Sequence, residues 1–125
     1  MTVEELLAAY AARERNFSGA DLRGANLEKA DLFGANFSGA NLSEARLGYA
    51  DLRSADLEGA NLSGADLRGA KLTRADLFRA NLMEAILSGA DILYADLRRA
   101  DLRRADLSRA EPTLEEPTFV EPTLA

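Results

Sequence analysis

Alanine recurs at every fifth residue from Ala20 to Ala110 without exception. A large apolar residue stands two positions after each of these alanines, from Leu22 to Leu107. Counting Phe17 there are nineteen such centres, all leucine except Phe17, Phe37 and Ile92. The residue between is usually Asp or Asn, as in Asp21, Asn26, Asp31 and Asn36. The unit is A-(D/N)-L-x-x, and self-similarity this strict outranks every other signal in the chain.

Period five suits neither regular element. On an α-helix five residues advance the side chain by roughly 140°, so the leucines would spiral over every face. On a strand five is odd, so successive leucines would point to opposite sides. Collagen requires glycine at every third residue, and this chain lacks that. A chain that turns one corner per repeat remains, with every leucine facing a common axis and alanine filling the crowded space beside it. Burying one leucine contributes ~1.5–3 kcal/mol, while ordering five backbones costs ~5–10 kcal/mol. A single repeat therefore cannot fold alone, and stacked coils must supply the difference as in any one-dimensional array.

The A-(D/N)-L-x-x run resembles the pentapeptide repeat family, and the resemblance spans residues 17–110 of the 125. It implies an all-β fold, a right-handed quadrilateral β-helix with four repeats per coil. Nineteen repeats then make just under five coils, about 20 Å tall at one strand spacing per coil. It also implies that leucine or phenylalanine and the alanine two residues before it point inward, with the other positions outward. The string LLAAYAARERNFSGADL is similar to the N-terminal lead-in of several cyanobacterial members.

Residues 1–16 break the period. Thr2 and Glu5 form a capping-box pattern, and Val3, Leu6, Leu7 and Tyr10 fall on one helical face. This predicts a short capping helix over Phe17 and the first coil, followed by the repeat body at 17–110. Residues 111–125 form a third segment, E-P-T-L-E, E-P-T-F-V, E-P-T-L-A, whose prolines cannot donate to a ladder. Its Leu114, Phe119, Val120 and Leu124 suit a cap across the open end of the rod, a flexible docking segment, or a degenerate continuation of the repeat.

Composition narrows the function classes. There is no cysteine and no histidine, which excludes disulfides, thiolate metal sites and the commonest general base. No secretory leader pattern and no run of eighteen apolar residues occurs, so the expected location is the bacterial cytoplasm. The net charge of −6 is mostly a tail property: residues 17–110 hold fourteen acids and thirteen bases, whereas 111–125 hold four glutamates and no base. Ten aspartates occupy the corner position, but they alternate with asparagine, which a catalytic or ligating carboxylate would not do. They read as turn residues that satisfy backbone donors. The glycines, in S-G-A and R-G-A, read the same way. No catalytic residue, cofactor, metal ligand or small-molecule substrate is expected, and the chain is not expected to be an enzyme.

Departures from the consensus carry more information. Arg46, Lys71 and Ile86 replace the usual Asp or Asn, and a four-repeat coil would stack Arg46, Asp66 and Ile86. Phe78, Met83, Ile86, Leu93 and Tyr94 are outward-facing apolar residues in the fourth coil, a candidate protein-contact patch that would encircle the rod. Arg98, Arg99, Arg103, Arg104 and Arg109, preceded by Arg74 and Arg79, make a candidate basic end. Interleaved Asp91, Asp96, Asp101 and Asp106 argue against nucleic acid there and favour protection against edge-to-edge association. The leading reading is a non-catalytic scaffold for another protein, as a monomer or end-to-end dimer, with no membrane contact. The alternatives are a DNA mimic acting on a type II topoisomerase such as gyrase, as some members of that family do, and a consensus-like or designed repeat with no native partner.

Overall fold

The computed structural model describes residues 1–110, and the reading of 111–125 as cap or docking segment lies outside the described residues. One helix, α1 (Val3–Ala11), precedes the repeats. Its start is the expected capping box: the Glu5 N–H donates to Thr2 Oγ1 at 3.1 Å and the Thr2 N–H to Glu5 Oε1 at 2.8 Å. Leu6 is fully buried and joins the solenoid core, with Val3, Ala9 and Tyr10 packed beside it. Leu7, expected on the same face, is instead 40% exposed. The buried face is centred on Leu6, with Ala9 and Val3 to either side, and Leu7 is rotated about 100° from that centre. The Tyr10 hydroxyl donates to the Phe33 carbonyl at 2.8 Å, and the Arg15 guanidinium lies 3.6 Å from the Tyr10 ring centroid. The first contact fixes the helix to the first coil, and the second ties it to the segment that leads into that coil.

From Asn16 onward every coil takes twenty residues. Fifteen parallel bridges join a corner residue to the one twenty later, from Asn16↔Asn36 to Ile86↔Asp106. Four repeats per coil follow, and four sides, here numbered 1 to 4 from the repeats centred on Phe17, Leu22, Leu27 and Leu32. The strands are single bridges, shorter than the word β-helix suggests. Three of five residues are spent on the turn, which leaves only the corner residue and the leucine extended. Each turn is closed by an i→i+3 bond, as from the Ala60 N–H to the Leu57 carbonyl at 3.0 Å. The residue before alanine has positive φ in all nineteen repeats, eight times as glycine and eleven times with a side chain. Gly59, at φ +66 with open space about it, shows the usual case.

The interior is uniform. Every centre from Phe17 to Leu102 is buried, and alanine is buried from Ala35 to Ala100. Phe17 and Phe37 stack at 5.6 Å between centroids under the leucine column of side 1. No polar or charged residue is buried among the described residues.

Candidate interaction surface

The corner position behaves identically wherever it is Asp or Asn. In all sixteen such repeats the side-chain Oδ1 accepts the backbone N–H two residues on, at 2.9–3.4 Å. This is an Asx turn repeated along the rod. It needs one oxygen in one place, and carboxylate and carboxamide supply it equally.

Four aspartates carry an arginine as a second partner. Arg53, Arg68, Arg98 and Arg103 each fork back onto the aspartate two residues earlier, with Nη2 to Oδ2 distances of 2.6–2.8 Å. The side-chain hydrogen bond from arginine is the main reason that Asp51, Asp66, Asp96 and Asp101 titrate below the ordinary carboxylate range. The same bond pushes each arginine up. The acidic columns are thus partly neutralised where they stand.

The apolar residues of the fourth coil lie on all four sides: Phe78 on side 1, Met83 on side 2, Ile86 on side 3, Leu93 and Tyr94 on side 4. All five are half-buried. Arginines cover several of them. Arg79 and Arg98 stand 5.2 and 5.5 Å from the Phe78 ring centroid, Arg74 4.7 Å from that of Tyr94, and Arg103 Nη2 is 3.3 Å from Met83 Sδ. The basic residues of the last coil divide in two. Arg98 and Arg103 are held by their own aspartates, whereas Arg99, Arg104 and Arg109 occupy the positive-φ turn position before alanine and make no ion pair among the described residues.

Other features were not singled out from the sequence. Phe33 and Tyr49 are large apolar side chains that are strongly exposed, at 47% and 63%. Asp56, Glu58 and Asp76 on side 1 each bring a carboxylate oxygen within 4.8 Å of the others. Writing the sequence in rows of twenty stacks Asp56 beneath Asp76 and would have shown this trio. Two clefts also interrupt the surface. One, on side 2, lies around Gly64 between Glu44 and Glu84. The other, on side 3, has a volume of 180 Å³ and is lined by Glu28, Gly48, Tyr49, Asp66 and Arg68. An Arg46–Glu28 pair at 3.1 Å flanks it.

A four-sided solenoid with a twenty-residue coil, an Ala/Leu interior and Asx corners defines a repeat protein whose variable information is all on its outside. The pentapeptide repeats family matches residues 16–48, 50–89 and 80–111 in eight copies, and the chain belongs to that family. It is similar to the crystal structure of HetL, a pentapeptide repeat protein involved in heterocyst differentiation regulation from the cyanobacterium Nostoc sp. strain PCC 7120. The two are 43% identical with a TM-score of 0.87 over 88% of this chain. The match covers only 46% of HetL, so the chain spans less than half the length of that relative. Rfr23, from the cyanobacterium Cyanothece 51142, is 30% identical with a TM-score of 0.70, over 89% of this chain and 92% of its own. A pentapeptide repeat protein of the Arabidopsis thaliana thylakoid lumen is 32% identical with a TM-score of 0.63, over 76% of this chain and 70% of its own. No curated protein matches the sequence. No helix among the described residues is long and apolar enough to cross a membrane.

Proposed function

We propose that this chain, wound as a right-handed coil, is a non-catalytic scaffold for contact with another protein. The carrying observation is that every corner Asp or Asn has its Oδ1 engaged by its own turn. The most numerous acidic residues are thereby assigned to folding. What the rod offers a partner is the set of side chains beside each leucine, held in vertical columns by a rigid core. The likeness to HetL, itself involved in regulation, supports a regulatory contact.

The test is capture of a partner from the source organism, reconstitution of the pair from purified components, and charge reversal on one side of the rod at a time. The scaffold reading expects one side to abolish binding and the others to leave it intact. A reconstituted complex indifferent to all four sides would refute it. The DNA-mimic alternative needs a surface acidic enough to imitate phosphate, and Arg53, Arg68, Arg98 and Arg103 oppose that here. Potent inhibition in a gyrase supercoiling assay would put that alternative first.

A further inference from the structure

Three repeats lack the corner acceptor, because Arg46, Lys71 and Ile86 stand where the others have Asp or Asn. The backbone N–H groups two residues on belong to Gly48, Thr73 and Ser88. Among the described residues none of the three meets an acceptor, although their turns are otherwise bonded like the rest. Only one of them is buried: Gly48, in the floor of the cleft on side 3.

Gly48 is unusual twice over. It is the one glycine of nine without positive φ. A Cβ there would stand 3.6 Å from the Arg68 carbonyl and 3.8 Å from Glu28 Cγ, ordinary contact distances, so neither conformation nor crowding demands glycine. Its missing side chain is what opens the cleft. The Arg46 side chain carries no acceptor for that N–H, and its guanidinium donates to Glu28 Oε2 at 3.1 Å. Tyr49 forms one wall, its ring over Gly69, and remains 63% exposed.

We infer that this cleft takes the side-chain carboxamide of an asparagine or glutamine on a partner protein, which supplies in trans the oxygen that the corner residue supplies in cis elsewhere. The inference rests on the scaffold reading and names the contact. The carboxamide oxygen accepts the Gly48 N–H, in the role of Oδ1 in the other sixteen repeats. Its NH₂ meets the carboxylates of Glu28 and Asp66, and its plane lies along the Tyr49 ring. The lining favours a neutral group. Glu28 and Asp66 are balanced by Arg46 and Arg68, so an added carboxylate or ammonium would leave one charge unmatched. Thr73 and Ser88 are only half-buried and line neither of the two clefts described, and they serve as internal controls.

The test is an NMR titration of the full-length ¹⁵N-labelled chain with three blocked single-residue probes: N-acetyl-asparagine methylamide, N-acetyl-aspartate methylamide and N-acetyl-alanine methylamide. The asparagine probe is expected to move the Gly48 amide saturably in the millimolar range, with the Thr73 and Ser88 amides unmoved. The aspartate and alanine probes, the latter carrying backbone amides alone, are expected to leave Gly48 in place. Arg46→Asn restores the internal acceptor and should remove the response. Gly48→Ala, which fits without a clash, should weaken it several-fold. A Gly48 amide indifferent to the asparagine probe, an equal response to the alanine or aspartate probe, or an undiminished response in Arg46→Asn would each overturn the inference. No protein partner enters this titration, so its failure removes the cleft and leaves the scaffold reading to its own test.

Discussion

Looking inward, Leu57, Leu62, Leu67 and Leu72 occupy four successive sides and each is completely buried. Looking outward, the residues beside them are Glu58, Ser63, Arg68 and Thr73, which share neither size nor charge. Packing dictates the first set, since a common axis admits one volume per layer. Nothing in the fold dictates the second. Between them lies the corner position, where the requirement is a hydrogen-bond acceptor and nothing more. Three kinds of constraint therefore run along one chain, and only the positions free of the first two can carry specificity.

The largest expected effect breaks the inner set. Leu62→Asp places a carboxylate in a layer with no polar neighbour, at a cost of at least ~5 kcal/mol. That approaches the whole stability of a small domain, and calorimetry should show no cooperative melting transition. Leu62→Ala, which leaves only a cavity, should cost ~2–5 kcal/mol and still melt cooperatively.

Removing residues 1–15 asks whether the inner set tolerates an open end. Asn16 must stay, because it makes the first bridge. The deletion strips Leu6 from the core and uncovers the Phe17 layer. Light scattering should show a mass that rises with concentration, as unpaired edges associate. A strictly monomeric product would mean that α1 is dispensable as a cover.

The turn can be probed apart from the core. Gly59→Ala adds a methyl group in open space at φ +66, so only backbone strain is sampled. A loss of ~1–2 kcal/mol is expected in denaturant titration. Glu84→Gly should work in the opposite direction, relieving a side chain at φ +60 by less than ~1 kcal/mol after the added chain entropy.

Acid should loosen the outer surface before it reaches the core. Asp51, Asp66, Asp96 and Asp101 are held below the ordinary carboxylate range by their arginines. Their contribution is present above that range and fades as pH falls through the lowered values, from about pH 4 downward. The forks are half in solvent, so the loss should be small and smaller still in high salt. Melting temperatures at pH 7 and pH 3, with and without added salt, read it directly.

The period-five alanines and the leucines made the coil legible, because only a chain turning one corner per repeat keeps every leucine inside. The interchange of Asp and Asn likewise pointed to the turn bond now seen in sixteen repeats. The capping box of Thr2 and Glu5 formed as read, while Leu7 fell off the stripe by one helical step. The outer surface was less legible. Glu28, Gly48 and Arg68 meet because they sit one coil apart, which rows of twenty show and the spacing within a repeat does not. Gly48 differed from the other glycines in register, since it follows Leu47 directly where the other eight precede alanine, and its lack of positive φ follows from that place in the repeat.

The claim that corner carboxylates serve the turn is tested most directly at Asp56. It has glutamate rather than arginine two residues on, so no ion pair confounds the result, and it belongs to the Asp56–Glu58–Asp76 trio. Stability of Asp56→Asn and Asp56→Ala should be compared in the same denaturant titration. Asparagine retains the oxygen that accepts the Glu58 N–H and should stay within ~0.5 kcal/mol of the parent, whereas alanine should lose ~0.5–2 kcal/mol, as at other side-chain-capped donors. If asparagine proves as damaging as alanine, the charge and not the turn bond is what Asp56 supplies, and the assignment of the acidic columns to folding is wrong.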